Sequence, residues 1–382
     1  MVTKVLREKD LAIDESIKDH IYDGSGRLLM KKGTLLRTKS QINKLISLNA
    51  ICRLDDIDML GPEINGELTP FEQIEGILNY LTYLFEIIVH EPAHPKKKVS
   101  DKFFDLSNTI IKLCELDIDA VMGWIHLGQV SDYAAKHPLQ CAVFNLVLAK
   151  KLGINGRRLN SIICAAITAN LGMYQLQHSA LLSHQGALTE SQRERIDKHA
   201  MRSVVLLKRN GILDKLWLEI ILQHHEKLDG TGYPRKLKGK RFVVEGRMLG
   251  LADRYCAMIS SREYREAMTP SDALKRLFRV SGPEVDVKLT SVLIKEIGIY
   301  PPGAVVELVN KEIAIVTRRG EDKMIPVVKS IFTADGNRYP EPLERDSRSR
   351  TFQIAGLSDL PDAYISDLYA LWDYNNLNRN AE

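Results

Sequence analysis

Apolar residues recur at helical intervals through the middle of the chain. From Ala134 to Leu152 they return at helical spacing and stop at Gly153, and from Leu159 to Leu171 the chain is almost continuously apolar. The first pattern is typical of a helix with one buried face, and the second is typical of a helix enclosed by others. We therefore predict that helices dominate from residue 69 to residue 299.

Three short motifs predict where helices of this region begin. Thr69-Pro70-Phe71-Glu72 places a threonine cap before a proline, with a glutamate at the third helical position. Thr189-Glu190-Ser191-Gln192 and Thr269-Pro270-Ser271-Asp272 likewise place an acceptor side chain three residues after a threonine, and the second also has the proline. A threonine oxygen can accept a free backbone N–H of the first turn, and the acceptor side chain at the third position reaches back to the cap.

The N-terminal residues have the pattern of a small mixed α/β unit. Residues 20–22 and 27–30 flank a turn-prone Asp-Gly-Ser-Gly sequence, residues 40–48 have helical spacing, and residues 50–54 predict a further strand.

Towards the C-terminus the pattern changes again. Short β-branched segments at 304–309, 313–317 and 323–328 predict a small β module. Residues 359–374 are amphipathic, which predicts a terminal helix.

Together these patterns predict a mainly α protein with a small α/β domain in front and a short β module behind. The predicted segments are a mixed α/β N-terminal domain at 1–62, a linker and helix at 63–100, a helical domain at 101–299, a β module at 300–356, and a C-terminal helix and tail at 357–382.

Composition excludes several classes of protein. The net charge of +4 is spread over scattered basic residues, so no nucleic-acid-binding stripe is expected. The five cysteines have no C-x-x-C spacing, which favours a reducing, cytoplasmic setting over a disulfide framework. The N-terminus is too charged for a signal peptide and the apolar segments are too short to span a bilayer, so we expect no membrane insertion.

Potential metal ligands gather in the predicted helical domain. They are His137, His199, His224, His225 and Asp253. Neighbouring residues of a helix point about 100° apart, so two adjacent histidines suit two neighbouring ions better than one. An isolated helical histidine is more often a surface or hydrogen-bonded core residue, so spacing alone does not decide between a metal site and a structural role.

The sequence HHEKLDGTGYP, from His224 to Pro234, resembles the signature of the HD-GYP family of cyclic di-GMP phosphodiesterases. The resemblance covers residues 130–310. It implies an HD-superfamily helical bundle in which two or three iron- or manganese-type ions activate a bridging water for hydrolysis of a phosphodiester. It also implies a bacterial signalling protein.

Four positions depart from the pattern of that family. Ala169 and Asn170 stand where His-Asp is expected, Met173 replaces a lysine, and Cys256 replaces an aspartate. Loss of a bridging carboxylate, a ligand histidine and a cation together predicts an inactive enzyme. We expect one weakly bound iron or manganese ion per chain instead of a full two-metal cluster.

Three further residues of this region have side chains that could bind a metal ion. His178 and His184 lie in the predicted loop downstream and are better explained as exposed polar residues. Cys256 is a potential soft ligand, although its apolar helix neighbours favour a packing role.

Ligand recognition matches the resemblance better than catalysis does. Arg262 and Arg265, on either side of Tyr264, are expected to grip the phosphates of cyclic di-GMP, although Glu263 replaces a proline there. The loop Gly232-Tyr233-Pro234 is expected to border the site and to contact GGDEF-domain or other signalling proteins. A homodimer is a further expected assembly.

Three functions follow from the sequence. We favour a degenerate HD-GYP protein that serves as a nucleotide receptor or protein-docking module. The first alternative is an active cyclic di-GMP phosphodiesterase with an unorthodox metal site, and the second is a scaffold that binds neither metal nor nucleotide.

Overall fold

The fold is given by a computed structural model. It describes residues 3–6, 11–17, 21–23, 28–31, 33–48, 50–53, 61–62, 64, 68–90, 99–127, 133–174, 189–261, 266–320, 325–360 and 368–374. The chain divides into two compact units: one of residues 1–60 and 82–94, and a larger one of residues 61–81 and 95–382.

The smaller unit contains a short antiparallel sheet and a helix. The strands are β1 (Thr3–Val5), β2 (Ile21–Tyr22), β3 (Leu28–Met30) and β4 (Ile51–Arg53), in the order β1-β4-β2-β3, with α1 (Lys39–Ser47) between β3 and β4. Thr38 and Gln41 form a capping box at the start of α1. The buried face of α1, Ile42 and Leu45, packs with Ile17, Ile21 and Leu36 in one apolar cluster. The strands and helix predicted here are therefore confirmed within about two residues at each end.

Helices make up most of the larger unit. Helix α2 (Pro70–His90) begins in it, and the helices that follow are α3 (Val99–Leu127), α4 (Tyr133–Lys151), α5 (Gly156–Thr168), α6 (Glu190–Asp197), α7 (His199–Arg209), α8 (Lys215–Gln223), α9 (Val244–Ile259), α10 (Pro270–Val280), α11 (Val287–Ile297) and α12 (Leu368–Leu371). A 3₁₀ turn, Leu171–Met173, follows α5.

The predicted helix starts at residues 69, 189 and 269 are all present. Thr189 accepts the backbone N–H of Gln192, and Thr269 accepts that of Asp272. The cap at Thr69 is tied to Glu72 by hydrogen bonds in both directions. Every residue of α4 from Tyr133 to Ala149 except Lys136 is buried, so the helix lies at the centre of the bundle and the single buried face predicted from its spacing is wrong.

Helix α3 has a kink that the sequence did not predict. Asp117 adopts φ −157° and ψ 89°, and its carboxylate accepts the N–H of Ala120, so the helix restarts there with a new cap. The same carboxylate accepts two hydrogen bonds from Arg318 and one from the Tyr374 hydroxyl. The kink therefore anchors the β module and the C-terminal segment to the helical core.

The β module is an antiparallel sheet of β5 (Val305–Leu308), β6 (Ile313–Arg318), β7 (Val327–Phe332), β8 (Arg338–Arg345) and β9 (Ile354–Leu357), in the order β8-β7-β6-β5-β9. Of the predicted strand at 323–328, residues 323–324 lie outside the described residues, residues 325–326 precede β7, and residues 327–328 begin it. Strands β8 and β9 were missed, since β8 is a mostly exposed edge strand without the apolar alternation that marks a half-buried one.

In the C-terminal segment the structure describes one helical turn. The terminal helix predicted over 359–374 is described only as this single turn, α12, and part of that span lies outside the described residues. No helix among the described residues is long and apolar enough to cross a membrane. The mainly helical fold with a small antiparallel sheet near the C-terminus is as predicted.

Candidate metal centre

Three predicted ligands meet at the ends of two helices. His199 is the first residue of α7, and His224 and His225 directly follow α8. The Nε2 atom of His199 lies 3.3 Å from Nε2 of His224 and 3.2 Å from Nε2 of His225. One ligand atom from each of the three residues falls within 4.8 Å of the others, so the group could hold one metal ion. We call it the three-histidine group. The expectation that two adjacent histidines suit two ions is wrong here, because both residues follow the end of α8 and are not held to helical spacing.

The hydrogen bonds of the outer nitrogens fix how these rings are protonated. Nδ1 of His199 lies 2.5 Å from the Ile196 carbonyl oxygen, and Nδ1 of His224 lies 2.6 Å from that of Ile221. A carbonyl only accepts, so both Nδ1 atoms carry the proton and both Nε2 atoms carry a lone pair. Two lone pairs that face each other at 3.3 Å can both bind one metal ion, and the hydrogen-bonded Nδ1 atoms hold the rings in the orientation for it.

Electrostatics keep the three imidazoles neutral. Burial, together with the neighbouring His224, lowers the pKa of His199 to about 4. Burial also lowers the pKa of His224, and burial with the other two rings places the pKa of His225 well below its ordinary value. Because a metal binds the neutral form of imidazole, the group is ready for a divalent cation at neutral pH.

The other two predicted ligands meet elsewhere, between α4 and α9. Nε2 of His137 lies 2.9 Å from a carboxylate oxygen of Asp253 and 3.5 Å from the sulfur of Cys141. Burial alone would lower the pKa of His137, but Cys141 and Asp253 raise it to about 10. Burial raises the pKa of the Cys141 thiol well above its usual range, so the thiol stays neutral and the stabilising charge is that of Asp253.

Ala169 and Asn170 form the turn that joins α5 to the 3₁₀ segment. The Ser203 hydroxyl of α7 donates to the Ala169 carbonyl at 2.7 Å and accepts the N–H of Gly172 at 2.8 Å. A Cβ atom on Gly172 would lie 2.3 Å from the carbonyl oxygen of His199, so the turn is packed directly against the first turn of α7. The two departures from the family pattern therefore lie beside the helix that carries His199.

Neither side chain of this turn supplies a charge. Ala169 is 2% exposed and offers only a methyl group. Asn170 is 5% exposed, and within the described part of the chain its side-chain oxygen has no hydrogen-bond partner. A buried polar oxygen without a donor is rare and is usually matched by an ion or a water. Met173 is half-buried in the same turn, and Cys256 is fully buried on α9.

The loop Gly232-Tyr233-Pro234 covers one side of the three-histidine group. The Tyr233 N–H donates to the His225 carbonyl at 3.2 Å, and its ring stacks on that of His225 at 4.7 Å between centroids. A Cβ atom on Gly232 would lie 2.5 Å or less from the backbone of residues 225–227, so only glycine allows the loop to approach this closely. The Tyr233–Pro234 peptide bond is cis.

Glu226 holds this loop in place. Its two carboxylate oxygens accept the backbone N–H groups of Arg235 at 2.7 Å and Leu237 at 2.8 Å. Neither Glu226, which anchors the loop, nor Cys141, beside His137, was among the predicted site residues. Cys141 was detectable, because it follows His137 by one helical turn on the same face of α4.

Several predicted site residues lie outside the described part of the chain. These are the phosphate-gripping candidates Arg262, Tyr264 and Arg265, and the two loop histidines His178 and His184. The ligand-binding roles of Arg262, Tyr264 and Arg265 stay a prediction, and so does the exposed position expected for His178 and His184.

Comparison with known proteins places an HD domain at the site. Residues 128–289 match the family model described as HD domain. The chain is 24% identical over 258 residues to the cyclic di-GMP phosphodiesterase PA4108 of Pseudomonas aeruginosa, covering 66% of this chain and 62% of that protein. It is 31% identical over 151 residues to the cyclic di-GMP phosphodiesterase response regulator RpfG of Xanthomonas campestris, covering 39% of each. The match thus spans less than two thirds of the length of either relative.

A solved structure shares the fold. Bd1817, a HDG"Y"P protein from Bdellovibrio bacteriovorus, superposes with a TM-score of 0.54 at 16% identity, over 76% of this chain and 97% of that one. The likeness to the HD domain model extends over residues 128–289, and the resemblance to the HD-GYP family predicted from the motif is confirmed.

Proposed function

We propose that this protein is a catalytically inactive HD-GYP protein that acts in cyclic di-GMP signalling as a nucleotide receptor or protein-docking module. The observation that carries the proposal is the turn at Ala169 and Asn170. It lies against the helix of His199, where it provides a methyl group and a neutral amide.

Hydrolysis by a pair of ions needs an anionic ligand that holds the two cations together. No carboxylate of the described residues joins the three-histidine group within 4.8 Å. Asp253 is engaged by His137 at 2.9 Å. The neutral Asn170 oxygen can complete the coordination of one ion, but it cannot offset the repulsion between two.

The three-histidine group fits one divalent ion of the iron or manganese type. When bound, that ion supplies positive charge for an anionic phosphate. His199, His224 and His225 would hold it. Hydrogen bonds from Nδ1 orient the rings of His199 and His224, and the contact with the His224 ring orients that of His225.

The proposed protein-docking role is supported by the contacts that hold the Gly232-Tyr233-Pro234 loop in place. Its backbone is held by Glu226 and by the stacked Tyr233 ring, and both contacts are independent of any metal. Next to this held segment, Thr231, Arg235 and Lys236 are exposed. A protein partner such as a GGDEF domain would find this surface formed in advance.

One observation favours the alternative, an active phosphodiesterase. The three neutral imidazoles and the separate His137–Asp253 pair are two sets of ligands in one helical bundle, as an enzyme with two ions would have. This alternative requires an anion that reaches both sets.

The deciding experiment is turnover of cyclic di-GMP by protein loaded anaerobically with ferrous iron or manganese, followed by chromatography for linear dinucleotide and GMP. We expect no product, with an active family member as the positive control. Product that disappears in a His224→Ala, His225→Ala variant would establish the enzyme and end the receptor proposal.

Nucleotide binding separates a receptor from a scaffold. We expect calorimetry to show cyclic di-GMP binding that is lost in an Arg262→Ala, Arg265→Ala variant. The matched control is Arg276→Ala, Arg279→Ala, which removes two exposed arginines at the same spacing from α10. Absence of binding in the wild type would contradict the receptor role, and equal binding by all three proteins would contradict the role given to Arg262 and Arg265.

A further inference from the structure

A groove between α10 and α11 takes no part in the proposed function. It has a volume of about 530 Å³, and residues of both helices line it together with Ile299, which follows α11. The described residues that line it are different from those of the three-histidine group and of the Gly232-Tyr233-Pro234 loop. We propose that this groove binds an amphipathic helix with acidic flanks that belongs to a partner protein.

The surface of the groove is mostly apolar. Leu274 of α10 is 4% exposed, and Ile294 of α11 is half-buried. Phe278 lies one turn after Leu274 on the same face of α10, and it is 59% exposed. Ile299 is 38% exposed. A partner that covers Phe278 and Ile299 removes apolar surface from water, which is the main driving force of protein association.

Ion pairs hold the segment that joins α10 to α11. Glu284 pairs with Lys227 at 2.9 Å and with Arg254 of α9 at 3.0 Å. Asp286 pairs with Arg247 of α9 at 2.7 Å and also caps the first turn of α11. The two walls of the groove are therefore fixed before a partner arrives, which lowers the entropic cost of binding.

The rim of the groove is positively charged. Three cationic residues line it, Lys275, Arg279 and Lys295, all of them exposed, and none of the described lining residues is acidic. Asp272 pairs with Lys275 at 3.2 Å, but both side chains are more than half exposed, and such a pair is weak in water. Glu296 of α11 pairs with a lysine of α4, also at 3.2 Å. The rim therefore keeps a positive charge that complements an acidic partner.

A helix suits this groove better than the alternative occupants do. A β-strand needs the free backbone groups of a sheet edge, whereas both walls are helices whose backbone groups bond internally. A second copy of the chain in a two-fold contact would bring the same cations face to face. A lipid surface would leave the inner part of a concave groove, including Leu274, uncovered. An amphipathic helix inserts apolar side chains at i, i+3 or i+4, and i+7, and its acidic flanks then meet the cations.

The test selects the chemistry of the partner from a library of displayed helices. The peptides have roughly 18 residues, because isolated helices shorter than about 12–15 residues are marginal in water. Each keeps apolar residues at i, i+3 or i+4, and i+7, and carries glutamate or lysine at every flanking position. Selection is on the full-length protein without added metal or nucleotide, and the most enriched peptide is then measured by fluorescence anisotropy.

We expect the enriched peptides to be rich in glutamate. Their affinity should fall severalfold between about 0.1 M and 1 M salt, where the screening length drops from roughly 10 Å to 3 Å.

Phe278→Ala tests the apolar anchor. It should weaken binding of the selected peptide about tenfold or more, as truncation of a central aromatic side chain does at protein interfaces. Leu213→Ala is the matched control, because Leu213 is 72% exposed and lies outside the groove, between α7 and α8. Thermal unfolding checks that both variants fold.

Arg279→Glu, Lys295→Glu tests the charge of the rim. We expect this variant to lose the glutamate-rich peptide and to enrich lysine-rich helices from the same library, because the sign of the rim is reversed. The matched control is Arg276→Glu, Lys288→Glu, which makes the same change of charge on exposed residues of the same two helices outside the groove. This control should keep the preference for glutamate.

Three results would overturn the proposal. The first is no enrichment, or enrichment without a bias towards glutamate. The second is a dimer in sedimentation that Phe278→Ala dissociates, which assigns the groove to a second copy of the chain. The third is binding to vesicles of anionic lipid that Phe278→Ala abolishes, which assigns it to a membrane. No metal or nucleotide enters these experiments, so their failure leaves the proposed function unaffected.

Discussion

Replacing Asn170 by aspartate tests whether this side chain faces the ion of the three-histidine group. In metal-free protein the new carboxylate would occupy a position that is 5% exposed, where the asparagine oxygen already lacks a donor among the described residues. Such a carboxyl keeps its proton in the folded protein, because ionisation there is unfavourable.

The cost follows from the difference between the folded and unfolded pKa. An unfolded aspartate has a pKa of about 3.9, and each unit between that value and pH 7 costs about 1.4 kcal/mol, so the upper limit is about 4 kcal/mol. The folded pKa is raised, so the penalty is near zero at pH 4 and grows as pH rises. We expect guanidinium unfolding with EDTA to show this loss at pH 7 and little of it at pH 4.

Manganese should reverse the effect at pH 7. A carboxylate that faces the ion gains a charged partner, so Asn170→Asp should bind manganese more tightly than the wild type and recover most of its stability. Metal at one hundred times its Kd contributes about 2.7 kcal/mol. The assay is the same unfolding curve with manganese in place of EDTA.

The control is Asn155→Asp, at the exposed start of α5, where the side chain makes no cap hydrogen bond. A carboxylate at a helix N-terminus is worth at most about 1 kcal/mol, in the favourable direction, and should not respond to manganese. If Asn170→Asp is equally destabilised with and without manganese, Asn170 does not face the ion and the one-ion site lacks its fourth ligand.

Two further predictions concern the backbone around the site. Gly172→Ala should destabilise the protein by more than about 2 kcal/mol and weaken manganese binding, because the new methyl would lie 2.3 Å from the His199 carbonyl oxygen; thermal unfolding with and without manganese measures both. Glu226→Gln should cost about 1–3 kcal/mol locally, since one of the N–H groups of Arg235 and Leu237 would lose its acceptor oxygen. Faster hydrogen exchange at these two amides, with unchanged exchange in α4, is the expected result, and protection equal to wild type would refute the role given to Glu226.

Local signals in the sequence were sufficient for much of the fold. The caps at Thr189 and Thr269 are present because each involves residues within one helical turn. The kink at Asp117 was not predictable, because its cause lies in Arg318 and Tyr374, each roughly two hundred positions or more away along the chain. Strand β8 was missed because its exposed face has no apolar period.

The candidate site also has one part that the local sequence predicts and another part that depends on how the helices pack. The motif located His224, His225 and the glycine loop, since their geometry is local to one turn. The packing of four helices decides which residues meet. It brings His199 close to His224 and His225, and it makes His137 and Asp253 a separate pair. Helical spacing indicates which face a residue occupies, but not which helix lies opposite.

The contacts that hold the site together are not the contacts that catalysis would use. Ser203 ties the Ala169 turn to α7 through backbone groups, and Glu226 ties the glycine loop to the end of α8 through backbone N–H groups. Neither depends on the side chain at position 169 or on the charge at position 170. The surface beside His225 therefore does not depend on a His-Asp pair at these positions, which is the independence that the proposed binding role requires. The same independence predicts that restoring Ala169→His and Asn170→Asp together will raise metal affinity before it restores turnover, because Met173 and Cys256 still lack the cation and the carboxylate that the family pattern places there. In that double variant we therefore expect metal titration to show tighter binding while the turnover assay still shows little product. Full turnover from the two changes alone would show that position 256 needs no carboxylate.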